Sequence, residues 1–264
     1  MCGIVGAVSE RNVTPILMEG LRRLEYRGYD SAGIAIFEDN NIKRLRRAGK
    51  VQELQNALDK NPLIGTLGIS HTRWATHGVP TENNAHPHLS EQDIALVHNG
   101  IIENHEALKK ELLDQGYKFE SDTDTEVVVH RIHFHLASSN DLFAAVNLTV
   151  RELEGAYALA VISKDEPQKM IVARSGCPVV IGLGINENYV ASDVAALLPV
   201  TNNFMFLEED DTAIIEQDKV AVFDGEGHEV TRKVTESKLS SEATERGEFK
   251  HFMLKEIYEQ SSAV

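Results

Sequence analysis

Eight short apolar segments crowd the second half of this 264-residue chain. After Gly155 they fall at 156–162, 169–173, 179–183, 189–191, 204–207, 213–216, 220–223 and 229–233, and only 193–198 among them has helical spacing. Strands this short, without crossover helices between them, pair with antiparallel neighbours. The first half reads in blocks as well. A strand at 3–8 precedes a helix opened by Thr14-Pro15, with Thr14 as the N-cap and Pro15 at the first helical position. Strands at 34–37 and 42–48 flank the turn Asp39-Asn40-Asn41 as a hairpin. A helix covers 50–60, and further strands cover 67–71 and 94–98. Three helices follow: 104–115 closed by Gly116, one capped by Asp122 or Thr123 running to about 136, and 142–153. Without regular βαβ alternation, the fold class is α+β with antiparallel sheets.

With 26 basic residues against 41 acidic ones, the net charge of −15 leaves no excess to neutralise phosphate. A nucleic-acid partner and an anionic membrane surface are therefore not expected. No apolar run approaches the roughly 20 residues that span a bilayer. Glu10 and Arg11 come too early for a signal peptide, so the expected location is cytoplasmic. The polar stretch 235–250 reads as a linker or surface wrap. The chain then ends without a closing element, as the first domain of something longer would.

Two cysteines, Cys2 and Cys177, cannot make a disulfide framework. Cys2 has a different potential. Removing Met1 would place a free α-amine on the residue that carries the thiol. An α-amine titrates near 7.7–8.0, so one residue could supply nucleophile and base, through a bridging water. Cys177, before Pro178, reads as a small packed residue.

Three other strings offer matching chemistry, each beside a structural alternative. Asn99-Gly100 can direct a side-chain amide and a backbone N–H at one oxyanion, or form a type I′ turn. In His71–Gly78, Arg73 offers a fork for a carboxylate, Thr76 and His77 add hydrogen-bonding groups, Trp74 could cover a site, and Gly78 could hinge. The alternative is a strand end with a core Trp. Ser121–Glu126 caps a helix and places acids in its first turn, or pairs an acid with a substrate ammonium. Six of the eleven histidines fall between 71 and 105, yet no zinc-type Cys or carboxylate spacing accompanies them, so no metal is expected. Gly182-Leu183-Gly184 lacks the third glycine of a dinucleotide loop, so no nucleotide cofactor is expected either.

Together, Met1–Gly6, Leu24–Gly33, His71–Gly78, His98-Asn99-Gly100 and Thr123–Glu126 resemble the glutaminase domain of the glucosamine-6-phosphate synthase family, within the class II amidotransferases. The resemblance runs from Met1 to about Glu259. It implies an N-terminal nucleophile hydrolase fold, a four-layer αββα sandwich with two antiparallel sheets. It implies a glutaminase domain over 1–240 and, over 241–264, a linker toward an absent sugar isomerase domain. Cys2 would be the nucleophile, and Asn99 with the Gly100 N–H the oxyanion hole. Arg73, helped by Thr76 and His77, would hold the glutamine carboxylate, and Asp124 the ammonium. Trp74 would lie on the closing loop and Arg27 near the nucleophile. L-Glutamine would be hydrolysed to glutamate and ammonia. Fructose 6-phosphate would be met only through the isomerase domain, in an oligomeric full-length enzyme.

Overall fold

A computed structural model of the protein describes residues 2–237. Its first half contains β1 (Gly3–Ser9), α1 (Thr14–Arg23), β2 (Ser31–Glu38), β3 (Asn41–Ala48), α2 (Val51–Lys60), β4 (Leu67–Arg73), β5 (His88–Ser90), β6 (Ile94–Ile102), α3 (His105–Asp114), α4 (Asp124–Ser139) and α5 (Leu142–Val150). Strands follow: β7 (Gly155–Ser163), β8 (Lys169–Ser175), β9 (Val180–Leu183), β10 (Glu187–Ala191), β11 (Asn203–Phe206), β12 (Thr212–Glu216), β13 (Val220–Phe223), β14 (Glu229–Val230) and β15 (Val234–Glu236). One sheet has eight strands in the order β15-β11-β9-β10-β1-β4-β2-β3, and the other has seven in the order β14-β13-β12-β8-β7-β6-β5. All these strand pairs are antiparallel.

Burial assigns the layers. Leu17 and Leu21 of α1 and Leu54 of α2 pack on Ile34, Ile36 and Tyr189 of the first sheet. The inner faces of the two sheets meet through Ile4, Ile69, Val97, Ala160, Met170 and Val190. Outside the second sheet, Val128, Val129 and Ile132 of α4 and Val146 of α5 cover Leu96, Leu159 and Ile171. The expected αββα sandwich results. It explains why β1 is apolar throughout: Val5 and Ala7 face the helices while Ile4 and Val8 face the other sheet. Each such fully buried Val, Leu or Ile contributes about 1.5–3 kcal/mol.

Several local expectations change. Thr14 is the first residue of α1, not its cap. Its Oγ1 donates to the Leu63 carbonyl at 2.7 Å, while the Asn12 side chain accepts the Thr14 N–H at 3.2 Å. β6 does not stop at His98 but runs through Asn99-Gly100 to Ile102. The 193–198 helix is a single 3-10 turn, Val194–Ala196, and α5 ends at Val150. Of the 229–233 segment only Glu229–Val230 is strand, as β14. Thr235 and Glu236, read as linker, instead pair with Phe204 and Asn203 of β11. An open strand edge accepts any backbone, whatever the polarity of its side chains. The expected linker 241–264 lies outside the described residues.

Candidate functional site

Antiparallel pairing of β1 with β4 sets Gly3 opposite Thr72 and Ile4 opposite His71. Cys2, just before β1, therefore meets the exit of β4. The Trp74 N–H donates to Cys2 Sγ at 3.1 Å. Asp30, just before β2, fixes that exit: it accepts the Ala75 N–H at 2.6 Å, and its own N–H donates to the Arg73 carbonyl at 2.7 Å. From the second sheet β6 brings Asn99, whose Nδ2 donates to the Cys2 carbonyl at 3.3 Å. Gly100 beside it has φ of +130°, and a Cβ there would sit 1.9 Å from the Ala156 carbonyl oxygen. Asn99-Gly100 is thus no hairpin turn. It pairs with Ala158 and Tyr157 inside the sheet, and the close approach of β7 demands glycine.

Arg73 ends β4 with its side chain 4% exposed. Its Nη2 donates to the carbonyls of His77 and, at 3.4 Å, Gly78. Its Nη1 has no hydrogen-bond partner among the described residues. Burial lowers the guanidinium from its usual value, and Asp30, Cys2 and Asp124 offset part of that shift. The nearest anion to Nη1 is Asp30 Oδ1 at 4.0 Å, and a buried cationic N–H without a hydrogen bond marks a place where a closer anion is expected.

Asp124 sits in the first turn of α4. One carboxylate oxygen accepts the Ile102 N–H at 2.9 Å, and the other lies 4.0 Å from His77 Nδ1. That His77 nitrogen has no hydrogen-bond partner among the described residues either. Arg73, Thr76, Asp124, Trp74, Gly100 and Cys2 all line one small pocket of about 10 Å³. Such a volume holds about one water. A larger cleft of about 680 Å³ adjoins it through Cys2, Trp74, Thr76 and Gly100, and its walls add Asn99 and Arg27. Arg27 Nη1 donates to Ser192 Oγ at 3.2 Å, and that oxygen also accepts the Ile4 N–H at 3.1 Å. Trp74 is 54% exposed, so it covers the site edge and is not a core residue.

The Cys2 thiol is pushed up by burial, with the Trp74 N–H and Arg73 pulling the other way. Near neutral pH it is protonated and needs a base. Cys177 shares the larger cleft, and burial raises its thiol too.

Three residues of this site carried no role in the sequence: Asp30, His71 and His98. Asp30 braces the strand exit. His71 Nε2 lies 2.9 Å from Asn99 Oδ1, and His98 Nδ1 lies 3.0 Å from Thr125 Oγ1. The only signal available was the density of histidines between 71 and 105. The His86-Pro87-His88 string is divided between tasks: His86 stacks on His71 with centroids 4.2 Å apart, and His88 Nε2 lies 3.0 Å from Thr123 Oγ1. Among the described residues no group of three or more His, Cys, Asp or Glu is placed to hold a metal. No helix among them is long and apolar enough to cross a membrane.

Residues 71–199 match the family profile of a glutamine amidotransferase domain. A glutamine–fructose-6-phosphate aminotransferase (isomerizing) of Idiomarina loihiensis is 60% identical over the whole chain. Those of Shewanella oneidensis and Pseudomonas aeruginosa are 58% and 57% identical. The chain spans 43% of the length of each of these relatives. Among solved structures, a glutamine phosphoribosylpyrophosphate amidotransferase of B. subtilis superposes with a TM-score of 0.71 at 26% identity, over 90% of this chain and 50% of that one. An allosteric regulatory enzyme of purine biosynthesis superposes at 0.72 with 28% identity over the same shares.

Proposed function

Because the chain belongs to the glutamine amidotransferases, with the N-terminal nucleophile fold of that family, we propose that it hydrolyses L-glutamine to glutamate and ammonia. The observation that carries this reading is the convergence of Cys2, Asn99, Arg73 and Asp124 around one pocket and its adjoining cleft. A glutamine placed there puts its α-carboxylate on Nη1 of Arg73 and its ammonium by Asp124, with Thr76 in the wall and His77, outside the lining, holding Arg73 through its carbonyl. Those two charges orient the side-chain amide toward Cys2. The pocket is far too small for glutamine as it stands, so the 74–78 segment, carrying Trp74, parts to admit it and closes behind it.

Removal of Met1 frees the Cys2 amine, which takes the thiol proton. The sulfur attacks the side-chain carbonyl carbon, and the oxyanion rests on Asn99 Nδ2 and the Gly100 N–H. The C–N bond breaks as the ammonium form of the amine passes its proton to the departing ammonia. Water, deprotonated by the same amine, then cleaves the thioester and restores the thiol. Arg27, tied to Ser192, stands beside the nucleophile as a supporting cation.

In the longer protein the ammonia passes to fructose 6-phosphate on a sugar isomerase domain and yields glucosamine 6-phosphate. The relatives' name, glutamine–fructose-6-phosphate aminotransferase (isomerizing), supports this reading. We place the chain in the cytoplasm, where a reducing environment keeps the free thiol usable, and the full-length enzyme as an oligomer. The test is Cys2→Ala with ammonia release as the readout. Loss of turnover with an unchanged circular dichroism spectrum is expected, and substantial residual hydrolysis contradicts the reading.

A further inference from the structure

We propose that His71 is a positioning residue for the oxyanion donor, holding the Asn99 side-chain amide in the orientation that turns its Nδ2 toward Cys2. The inference rests on the glutaminase reading and adds a residue to it.

A terminal amide rotates about a broad, roughly two-fold torsion. Its two orientations differ little in shape, so its partners decide between them. Asn99 has two side-chain contacts: Nδ2 donates to the Cys2 carbonyl at 3.3 Å, and Oδ1 faces His71 Nε2 at 2.9 Å. With Nδ2 spent on a carbonyl, Oδ1 can only accept, so His71 Nε2 must carry the hydrogen. The flipped amide would set Oδ1 against the Cys2 carbonyl and against the developing oxyanion. That contact is repulsive, and the flipped Nδ2 would find an acceptor in His71 only if the ring moved its hydrogen to Nδ1. One N–H of Nδ2 is engaged by Cys2, and the other remains for the reacting oxygen.

The ring is itself fixed. His71 lies in the middle of three strands, opposite Ile4 of β1 and Gly33 of β2, and is fully buried. His86 stacks on it at 4.2 Å with an interplanar angle of 20°. Gly33 makes that possible: a Cβ there would sit 2.1 Å from the His86 carbonyl oxygen. Burial lowers His71 to about 3, so the ring is neutral at working pH. A neutral imidazole has two tautomers, and the contact with Oδ1 selects the one with hydrogen on Nε2. The amide and the ring thus fix each other, before substrate arrives.

The test is a double-mutant cycle on glutamine hydrolysis. His71→Phe keeps a flat ring and removes the donor. It is expected to lower kcat about 10- to 100-fold with KM within twofold, since the oxyanion exists only in the transition state. His71→Gln restores a donor and is expected to recover much of the loss. In an Asn99→Ala background, His71→Phe is expected to change kcat less than twofold. A wild-type kcat in His71→Phe, or an equal loss with and without Asn99, overturns the proposal and leaves the glutaminase reading intact. An unmutated chain that releases no ammonia removes that reading first. Should His71→Phe not fold, the ring nitrogens of the unmutated protein report by 15N NMR. Hydrogen on Nε2 is expected, and hydrogen on Nδ1 alone overturns the proposal.

Discussion

Arg73 is the residue whose surroundings make the sharpest demand. A guanidinium with a 4% exposed side chain, whose Nη1 makes no hydrogen bond and only a 4.0 Å ion pair with Asp30, leaves a place for a closer anion. Replacing it should remove a charge-assisted contact of about 1.5–3 kcal/mol. Arg73→Ala is therefore expected to raise the KM for glutamine roughly 10- to 150-fold with a smaller effect on kcat, as steady-state kinetics would read. An unchanged KM would remove the carboxylate role. Gly100→Ala is expected to be harsher, because its Cβ would sit 1.9 Å from a backbone carbonyl that cannot move aside without breaking the β6–β7 ladder. A fall in both melting temperature and kcat is the outcome to look for. The residue types of this site were visible in the sequence, since a terminal Cys, an Asn-Gly, an Arg and an Asp in a helix's first turn each suggest one chemical task. Asp30 and His71 were not, because bracing a strand exit or holding an amide leaves no spacing signature.

At the scale of elements, the start of α4 shows how a helix terminus serves the pocket. Thr123 caps it by accepting the Glu126 N–H at 3.3 Å. The Glu126 carboxylate reaches back to the N–H groups of Glu120 at 2.8 Å and Ser121 at 2.7 Å. Burial raises the Glu126 carboxyl, yet hydrogen bonds from His130, Glu120 and Ser121 outweigh it and bring it from 4.5 to about 2. Its contribution to stability is complete above about pH 4.5 and fades as pH falls toward 2. Glu126→Gln is expected to destabilise the fold by about 1–3 kcal/mol at neutral pH. It should also flatten the acid limb of stability between those values, measured by denaturant unfolding. Equal losses at pH 7 and pH 2.5 would contradict this. Helix starts and most strands were legible because periodicity and capping are local. The run of β6 through Asn99-Gly100 was not, since a pairing with β7, more than fifty residues later, overrides the local turn preference. β15 was hidden for the same reason: its polar residues are strand only because β11 leaves an edge to pair with.

For the whole molecule, the two sheets enclose His71, His86, His88 and His98 at one end of the sandwich. Burial lowers all four rings, His71 to about 3. The unfolded chain takes up protons below about 6.5, while the folded one does not until much lower. Stability is therefore full above pH 6.5 and falls as pH drops below it, by up to ~1.4 kcal/mol per pH unit for each ring. The urea midpoint is expected to be markedly lower at pH 5 than at pH 7.5, and a flat profile would count against neutral buried rings. The α+β class with antiparallel sheets followed from the crowding of strands after Gly155 and the αββα layering from the family resemblance, whereas which face of each strand met which layer needed the register.

The central claim is that Cys2, with its own freed amine, attacks the side-chain carbonyl of glutamine. The direct measurement is to incubate the protein with an electrophilic glutamine analogue and to locate the adduct by peptide mass spectrometry. One adduct is predicted, on an N-terminal Cys2 lacking Met1, appearing in step with loss of ammonia release. An adduct on Cys177, or none while activity persists, would contradict the account.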